Sequence, residues 1–339
     1  MNITVLGSGG WGTALAILLR ENGHRVTLWS AFAAESEVLQ LTRENPFLPG
    51  VTLPETLVCT ADISSVRDAE LVVLATPSFA VRETARAMRE YLAPGAAVVV
   101  VSKGIERETL KHFSDVVRDE LGEHARIAAL SGPSHAEEVA RGIPTACVAA
   151  SADLAVARLV QDVFMSDRFR VYTSTDVIGV ELGAALKNVI ALAAGASDGL
   201  GCGDNTIAAL MTRGLDEIAT LAVALGGKRE TLAGLAGVGD LIVTCTSRHS
   251  RNRRAGVLIG KGVPVSEAME QVGGVVEGYY AAGAAQVLAA EAGVEMPVCG
   301  EIYRVLYEGK DPGRVLEDLM RRSKKAELHD PATAEWVNS

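Results

Sequence analysis

The tightest constraint in this sequence is the hexapeptide Gly7-Ser8-Gly9-Gly10-Trp11-Gly12. It stands directly behind the apolar run Ile3-Thr4-Val5-Leu6 and ahead of Thr13-Ala14-Leu15-Ala16-Ile17-Leu18-Leu19. Four glycines in six residues weaken the interior of any strand or helix. The run before them has strand composition and the run after them has helical spacing, so they mark a strand-to-helix turn. The pattern matches GxGxxG. Gly7 suits the tight turn, Gly9 lets bare backbone approach a pyrophosphate, and Gly12 permits close helix–strand packing. The helix start then offers unpaired N–H groups to the anion. This context favours dinucleotide binding over a bare structural turn.

The rest of the first half repeats the same alternation. "RVTLWS", "ELVVLATP", "AAVVVVSKG", "RIAALSGP", "TACVAAS" and "FRVYTST" are short apolar runs with little alternation, as expected of strands covered on both faces. Helical stretches such as "ALAILLRENGH" and "VRETARAMREYLAPG" separate several of them. Such alternation predicts a Rossmann-like, doubly wound, mostly parallel α/β sheet. After about Ser174 the texture changes to long Ala- and Leu-rich periodic segments, among them "DVIGVELGAALKNVIALAAGA" and "TIAALMTRGLDEIATLAVALG". The expectation is a dinucleotide-binding domain over residues 1–174, an all-helical substrate domain over 175–339, and a site in the cleft between them. A length of 339 residues suits two domains, and residues past Pro331 are expected to be loosely held.

Charge and cysteine usage exclude several classes. A net charge of −10 repels nucleic acid and anionic membranes. The five cysteines (Cys59, Cys147, Cys202, Cys245, Cys299) show no metal-ligand spacing, so no metal is expected, and their scatter fits reduced thiols in the cytoplasm. No signal peptide is expected, and no run of about 18 strongly apolar residues predicts a membrane span.

Three features carry candidate chemistry. Loops at the carboxyl ends of the strands hold ligands in such sheets. Lys103 in "SKG" lies in one, where it either reaches a substrate anion or is a solvated loop lysine. Lys187 lies in "LGAALKNVIALAAG", where its helical neighbours Gly183, Ala184, Ile190 and Ala191 include no acid. It either snorkels past a packed helix or enters a cleft. In a cleft, desolvation would lower its pKa and free the amine to take an alcohol proton. Asn188 beside it can hold a substrate hydroxyl or face solvent. Finally, Arg248, Arg251, Arg253 and Arg254 form a basic island against an acidic background. Such an island neutralises a phosphate more readily than it binds nucleic acid, since no aromatics interleave. Upstream, Asp240 can orient Lys187 or a hydroxyl, or serve as a helix N-cap.

The cofactor check is mixed. Sites of this kind place an acid at the end of the second strand, about 20 residues beyond the glycines. This strand ends Trp29-Ser30-Ala31-Phe32, and the first acid is Glu35. No lysine or arginine stands there for a 2′-phosphate. NAD against NADP stays open, with a lean toward tolerance of both.

In order along the chain, "GSGGWGTALA", "NPFLPGVTLP", "SKGIE", "SGPSHAEEVA", "LKNVIALAAG", "GVGDLIVTCTSRHSRNRRAG" and "VVEGYYAA" resemble the NAD(P)-dependent glycerol-3-phosphate dehydrogenase family of bacterial type. The resemblance implies an oxidoreductase that interconverts dihydroxyacetone phosphate and sn-glycerol 3-phosphate with NAD or NADP, supplying glycerol 3-phosphate for phospholipid synthesis. It implies that Lys187 is the proton acceptor and that Lys103 lies between substrate and cofactor. It assigns substrate contacts to Gly132, Ser134, Asp240, Ser250, Arg251 and Asn252, with Asn188 and Thr244 as secondary members. Cofactor contacts fall on Lys103, Ala136, Arg251, Val275 and Glu277 besides the glycine loop with its Gly10 and Trp11. Gly10 departs from the family's usual serine, and Ala31 from its usual histidine or arginine. Dimers are common in the family, which admits a homodimer. The alternatives are another two-domain dehydrogenase, acting on a 3-hydroxy acid or a sugar acid, and a dinucleotide-sensing protein without turnover.

Overall fold

The structure, a computed structural model, describes residues 1–324 and residue 327. Residues past Pro331, and the end of the segment 175–339, lie outside the described residues. Eight strands form one sheet: β1 (Asn2–Leu6), β2 (Arg25–Trp29), β3 (Val58–Thr60), β4 (Leu71–Leu74), β5 (Ala97–Val100), β6 (Arg126–Ser131), β7 (Thr145–Ala150) and β8 (Phe169–Ser174). Their order is β3-β2-β1-β4-β5-β6-β7-β8. Only β6 and β7 pair antiparallel. β1 sits between β2 and β4, with Val5 opposite Leu28 and Val73. The chain order reverses at β1, so a crevice opens beyond its carboxyl end. The glycine loop occupies that position.

The central strands β4 and β5 are buried throughout, as the unbroken Val/Leu runs require. Ile3, Val5, Val73 and Val99 feed an apolar layer on one face. Leu6, Val72, Val98 and Val100 feed the other. Two strands differ from the sequence expectation. β3 has three residues and too short a run to show in the pattern. β8 does alternate, exposing Arg170 and Tyr172 while burying Phe169 and Val171, because it is an edge strand.

No strand follows Ser174 among the described residues; the chain there is helical. The long helix Val177–Gly199 opens this region and is buried from Gly179 to Ser197. Asp176 fixes its start: Oδ1 accepts from Gly179 N at 2.9 Å and Oδ2 from Thr231 Oγ1 at 2.6 Å. By length and composition this helix is long enough to cross a membrane, with mean hydropathy 1.7. Yet 89% of that stretch is buried inside the protein, which makes it the central helix of a core. The helix Arg251–Gly260 lies against it so closely that a Cβ at Gly195 would stand 2.1 Å from the Arg253 carbonyl oxygen, and one at Gly256 2.2 Å from that of Leu192. Small residues on both helices permit that approach. Ile105, from the loop after β5, packs into this helical core and ties the two halves together.

Candidate functional site

The glycine loop has a closed side and an open side. Gly7 has φ +121°, and a Cβ there would lie 2.6 Å from the Ala75 carbonyl oxygen. A Cβ on Gly12 would lie 1.9 Å from the carbonyl oxygen of Gly7. Gly9 differs, since nothing stands within 4 Å of its Cβ position. Helix α1 (Gly10–Glu21) starts there without a side-chain cap, so its first N–H groups face that space. The Thr76 hydroxyl and the Trp11 indole N–H are buried nearby without partners among the described residues. Ala136 lies 3.7 Å from the Cβ position of Gly10. An open glycine, an uncapped helix and two orphaned donors fit a dinucleotide diphosphate.

One member of this region was not read from the sequence. Glu35 lies in the first turn of α2 (Ala33–Thr42), beyond the usual position of the ribose acid. Its carboxylate turns back to accept from Ser8 Oγ at 2.9 Å and Ser30 Oγ at 2.8 Å. The displaced acid was visible in the sequence; its return to the loop was not.

The second group of residues gathers where the sheet meets the helical region. Lys187 is only 6% exposed and does not snorkel. Its Nζ pairs with Asp240 Oδ1 and donates to Thr244 Oγ1 at 2.8 Å. Lys103 arrives from the loop after β5, donating to Asp240 Oδ2 at 2.8 Å and to the Gly132 carbonyl at 3.0 Å. Two ammonium groups thus share one carboxylate. Asp240 is the first residue of the helix Asp240–Thr246, but its carboxylate is spent on the two lysines rather than on a cap. Burial pulls the Lys187 ammonium down to about 7; Asp240 opposes that shift and Lys103 adds to it. Burial alone would raise the Asp240 carboxyl, and the two lysines outweigh it and hold it below its usual value. Thr244 is held in turn, donating to the Asp240 carbonyl at 2.6 Å.

A chain of amides extends from this cluster. Asn252 Nδ2 donates to Asn188 Oδ1 at 2.9 Å, and Asn252 Oδ1 accepts from Gly278 N at 2.8 Å. Both asparagines are buried, so neither simply faces solvent. Ser250 caps the helix Arg251–Gly260 by accepting from Arg253 N at 3.2 Å. The basic island does not act as one patch. Arg253 pairs with Asp198 at 2.6 Å and Arg254 donates to the Val272 carbonyl at 3.2 Å. The helix turns successive arginines to different sides. Arg251 lies against the turn before Val275 and Glu277: a Cβ at Gly274 would sit 2.6 Å from its Nη1. Burial raises the Glu277 carboxyl, while Ser78, Arg251 and Arg107 pull it back. The Ser134 hydroxyl donates to the Gly132 carbonyl at 2.9 Å.

Glu181 is a further buried acid that sequence reasoning missed. It lies six residues before Lys187 on the same helix, pushed up to about 7 by burial, and accepts from Ser114 N at 3.0 Å. An acid within a mostly apolar run was its only mark.

Known proteins align with both halves. The family model for the N-terminus of NAD-dependent glycerol-3-phosphate dehydrogenase matches residues 2–157, and that for its C-terminus matches residues 176–317. A glycerol-3-phosphate dehydrogenase (NAD(P)+) of Moorella thermoacetica is 54% identical over 337 residues, covering 99% of each chain. One of Fusobacterium nucleatum is 49% identical, covering 97% of this chain and 99% of its own. The crystal structure of glycerol-3-phosphate dehydrogenase from Coxiella burnetii superposes with TM-score 0.90 at 39% identity, over 95% of this chain and 99% of that one.

Proposed function

The chain belongs to the NAD-dependent glycerol-3-phosphate dehydrogenase family, and from that premise we propose that it interconverts sn-glycerol 3-phosphate and dihydroxyacetone phosphate with Lys187 as general acid and base. The observation that carries this reading is the buried pair of Lys187 and Asp240 with the half-buried Lys103 on the same carboxylate. Asp240 is neutralised by Lys103, so Lys187 can lose its proton near pH 7 without leaving the carboxylate unpaired.

When bound, the nicotinamide supplies the hydride acceptor in one direction and the donor in the other. As the C2–H bond gives up its electron pair with the hydride, neutral Lys187 takes the proton of the C2 hydroxyl and the carbonyl forms. In reverse, its ammonium returns that proton. Thr244 and Asp240 hold Nζ in place, and Lys103 keeps a positive charge beside the reacting oxygen. Acid–base help of this kind contributes about 10²–10⁴-fold. Arg251 receives the substrate phosphate and reaches the cofactor as well. Asn188 and Asn252, already linked to each other, present polar edges to the substrate. The Gly132–Ser134 loop closes the other side.

The same reading divides the chain into residues 1–174 for the dinucleotide and 175–339 for the substrate, with the site between them. It puts the enzyme in the cytoplasm, supported by five free cysteines, and gives it the task of supplying glycerol 3-phosphate for phospholipids. The test is oxidation of NADH or NADPH by purified protein on adding dihydroxyacetone phosphate. No turnover with that substrate, or faster turnover with an unphosphorylated 3-hydroxy acid, would overturn the assignment.

A further inference from the structure

The end of β2 carries an arrangement that the reaction chemistry does not use. Ser8, in the glycine loop, and Ser30, one residue past β2, are buried to 5% and 2% exposure. Each aims its hydroxyl at one oxygen of Glu35, at 2.9 and 2.8 Å. Ser30 is itself fixed: its N–H donates to the Thr60 carbonyl at 3.0 Å, and its Oγ also accepts from Phe32 N at 3.2 Å. The carboxylate is therefore held on two rigid posts, between the loop that receives the pyrophosphate and the strand end beside which the adenosine ribose lies.

A carboxylate has about four acceptor sites, two on each oxygen. The serines use one on each. One on each oxygen remains, which matches the paired 2′- and 3′-hydroxyls of a ribose. The first turn of α2 would otherwise attract an anion, but Glu35 already supplies one there. No lysine, arginine or histidine occurs from Ser30 to Thr42, and Glu37 adds a second negative charge. Of the arginines on adjoining segments, Arg43 donates to the Leu57 carbonyl at 2.7 Å and Arg67 lies 5.5 Å from the Tyr91 ring centre. A 2′-phosphate placed here meets a fixed carboxylate and no cation from its own strand end.

We propose that Glu35 selects the dinucleotide, accepting both ribose hydroxyls of NAD(H) and repelling the 2′-phosphate of NADP(H). The acid that such a fold usually carries at the strand end is replaced by one displaced into the next helix and returned by two serines. The inference rests on the reading of the glycine loop as the dinucleotide site.

Calorimetric titration with ADP-ribose and with its 2′-phosphate tests it without any turnover. The unaltered protein should bind ADP-ribose at least about tenfold more tightly than the phosphorylated form. Glu35→Gln, which keeps the shape and removes the charge, should shrink that ratio about fivefold or more, mainly by tightening the phosphorylated ligand. Glu35→Arg should invert it. Ser8→Ala, which frees one post, should shrink the ratio in a protein whose carboxylate is intact. Equal affinities in the unaltered protein, or an unchanged ratio in Glu35→Gln, would overturn the proposal. A protein that discriminates the two ligands but does not reduce dihydroxyacetone phosphate would leave this inference standing and remove the proposed reaction. Binding of neither ligand would remove both.

Discussion

The two halves of the site are made differently. The glycine loop is a site of backbone shape: Gly7, Gly9 and Gly12 act by what they lack, within six residues of one another. The lysine cluster is a site of charge, assembled from Lys103, Lys187 and Asp240 on three separate segments, 53 positions separating Lys187 from Asp240 and 137 separating Lys103 from Asp240. Shape is a local property and survives as a motif. Charge balance is a property of the assembled site, because whether Lys187 is an ammonium depends on who faces it. The comparison predicts that the two regions fail separately when altered.

Lys187→Ala carries the largest expected effect. It should lower turnover about 10²–10⁴-fold while dinucleotide affinity, measured by fluorescence titration, stays within a factor of about two. Equal losses in both measurements would break the separation. The pH dependence comes next. In the proposed mechanism alcohol oxidation needs neutral Lys187, so its rate should fall through the midpoint of about 7 as pH drops. Two units below that midpoint the loss should be about a hundredfold. Ketone reduction by the same mechanism needs the ammonium and should fall instead as pH rises through the same value. A flat profile in both directions, once hydride transfer is isolated by single-turnover kinetics, would remove Lys187 from the proton step.

Asp240→Asn attacks the charge balance directly. It leaves Lys103 and Lys187 facing each other with no carboxylate, and breaking a buried pair of this kind costs about 3–5 kcal/mol. Denaturant unfolding measures that cost. The midpoint of the pH profile should also move below 7, because the one charge favouring the ammonium is gone. Gly12→Ala is the mirror experiment on the shape side. Its methyl group collides with the Gly7 carbonyl, so it should cost about 1–3 kcal/mol in stability and dinucleotide affinity together. The pH midpoint of whatever turnover remains should not change, and a shifted midpoint would couple regions that the comparison holds apart.

Much of the fold was legible because it rests on short-range patterns. The apolar runs of β4 and β5 are unbroken, those of β1 and β6 nearly so, and the Ala/Leu periodicity of Val177–Gly199 is as plain. β3 was not legible, since three residues held by one neighbouring strand leave no period to detect. In the candidate site, Lys187 stood out as a cation among small residues, yet both a snorkelling and a buried side chain fit that pattern. The basic island read as one patch because sequence distance hides helical rotation. Only the helix Arg251–Gly260 sends Arg253 to Asp198 and leaves Arg251 beside Gly274. Glu35 failed the expected spacing, and no local rule could show that Ser8 and Ser30 draw it back.

The sequence by itself determined the strand-to-helix glycine turn, the parallel sheet followed by helices, and the candidates Lys103, Lys187, Asp240 and the arginine island of Arg248, Arg251, Arg253 and Arg254. Those depend on backbone freedom, hydrophobic period and residue type, which are properties of neighbours along the chain. The tertiary structure decided that Lys187 is buried, that Lys103 shares its carboxylate, and that Glu35 lies against the glycine loop. Desolvation and charge pairing set those outcomes, and both depend on groups that meet only once the chain has folded.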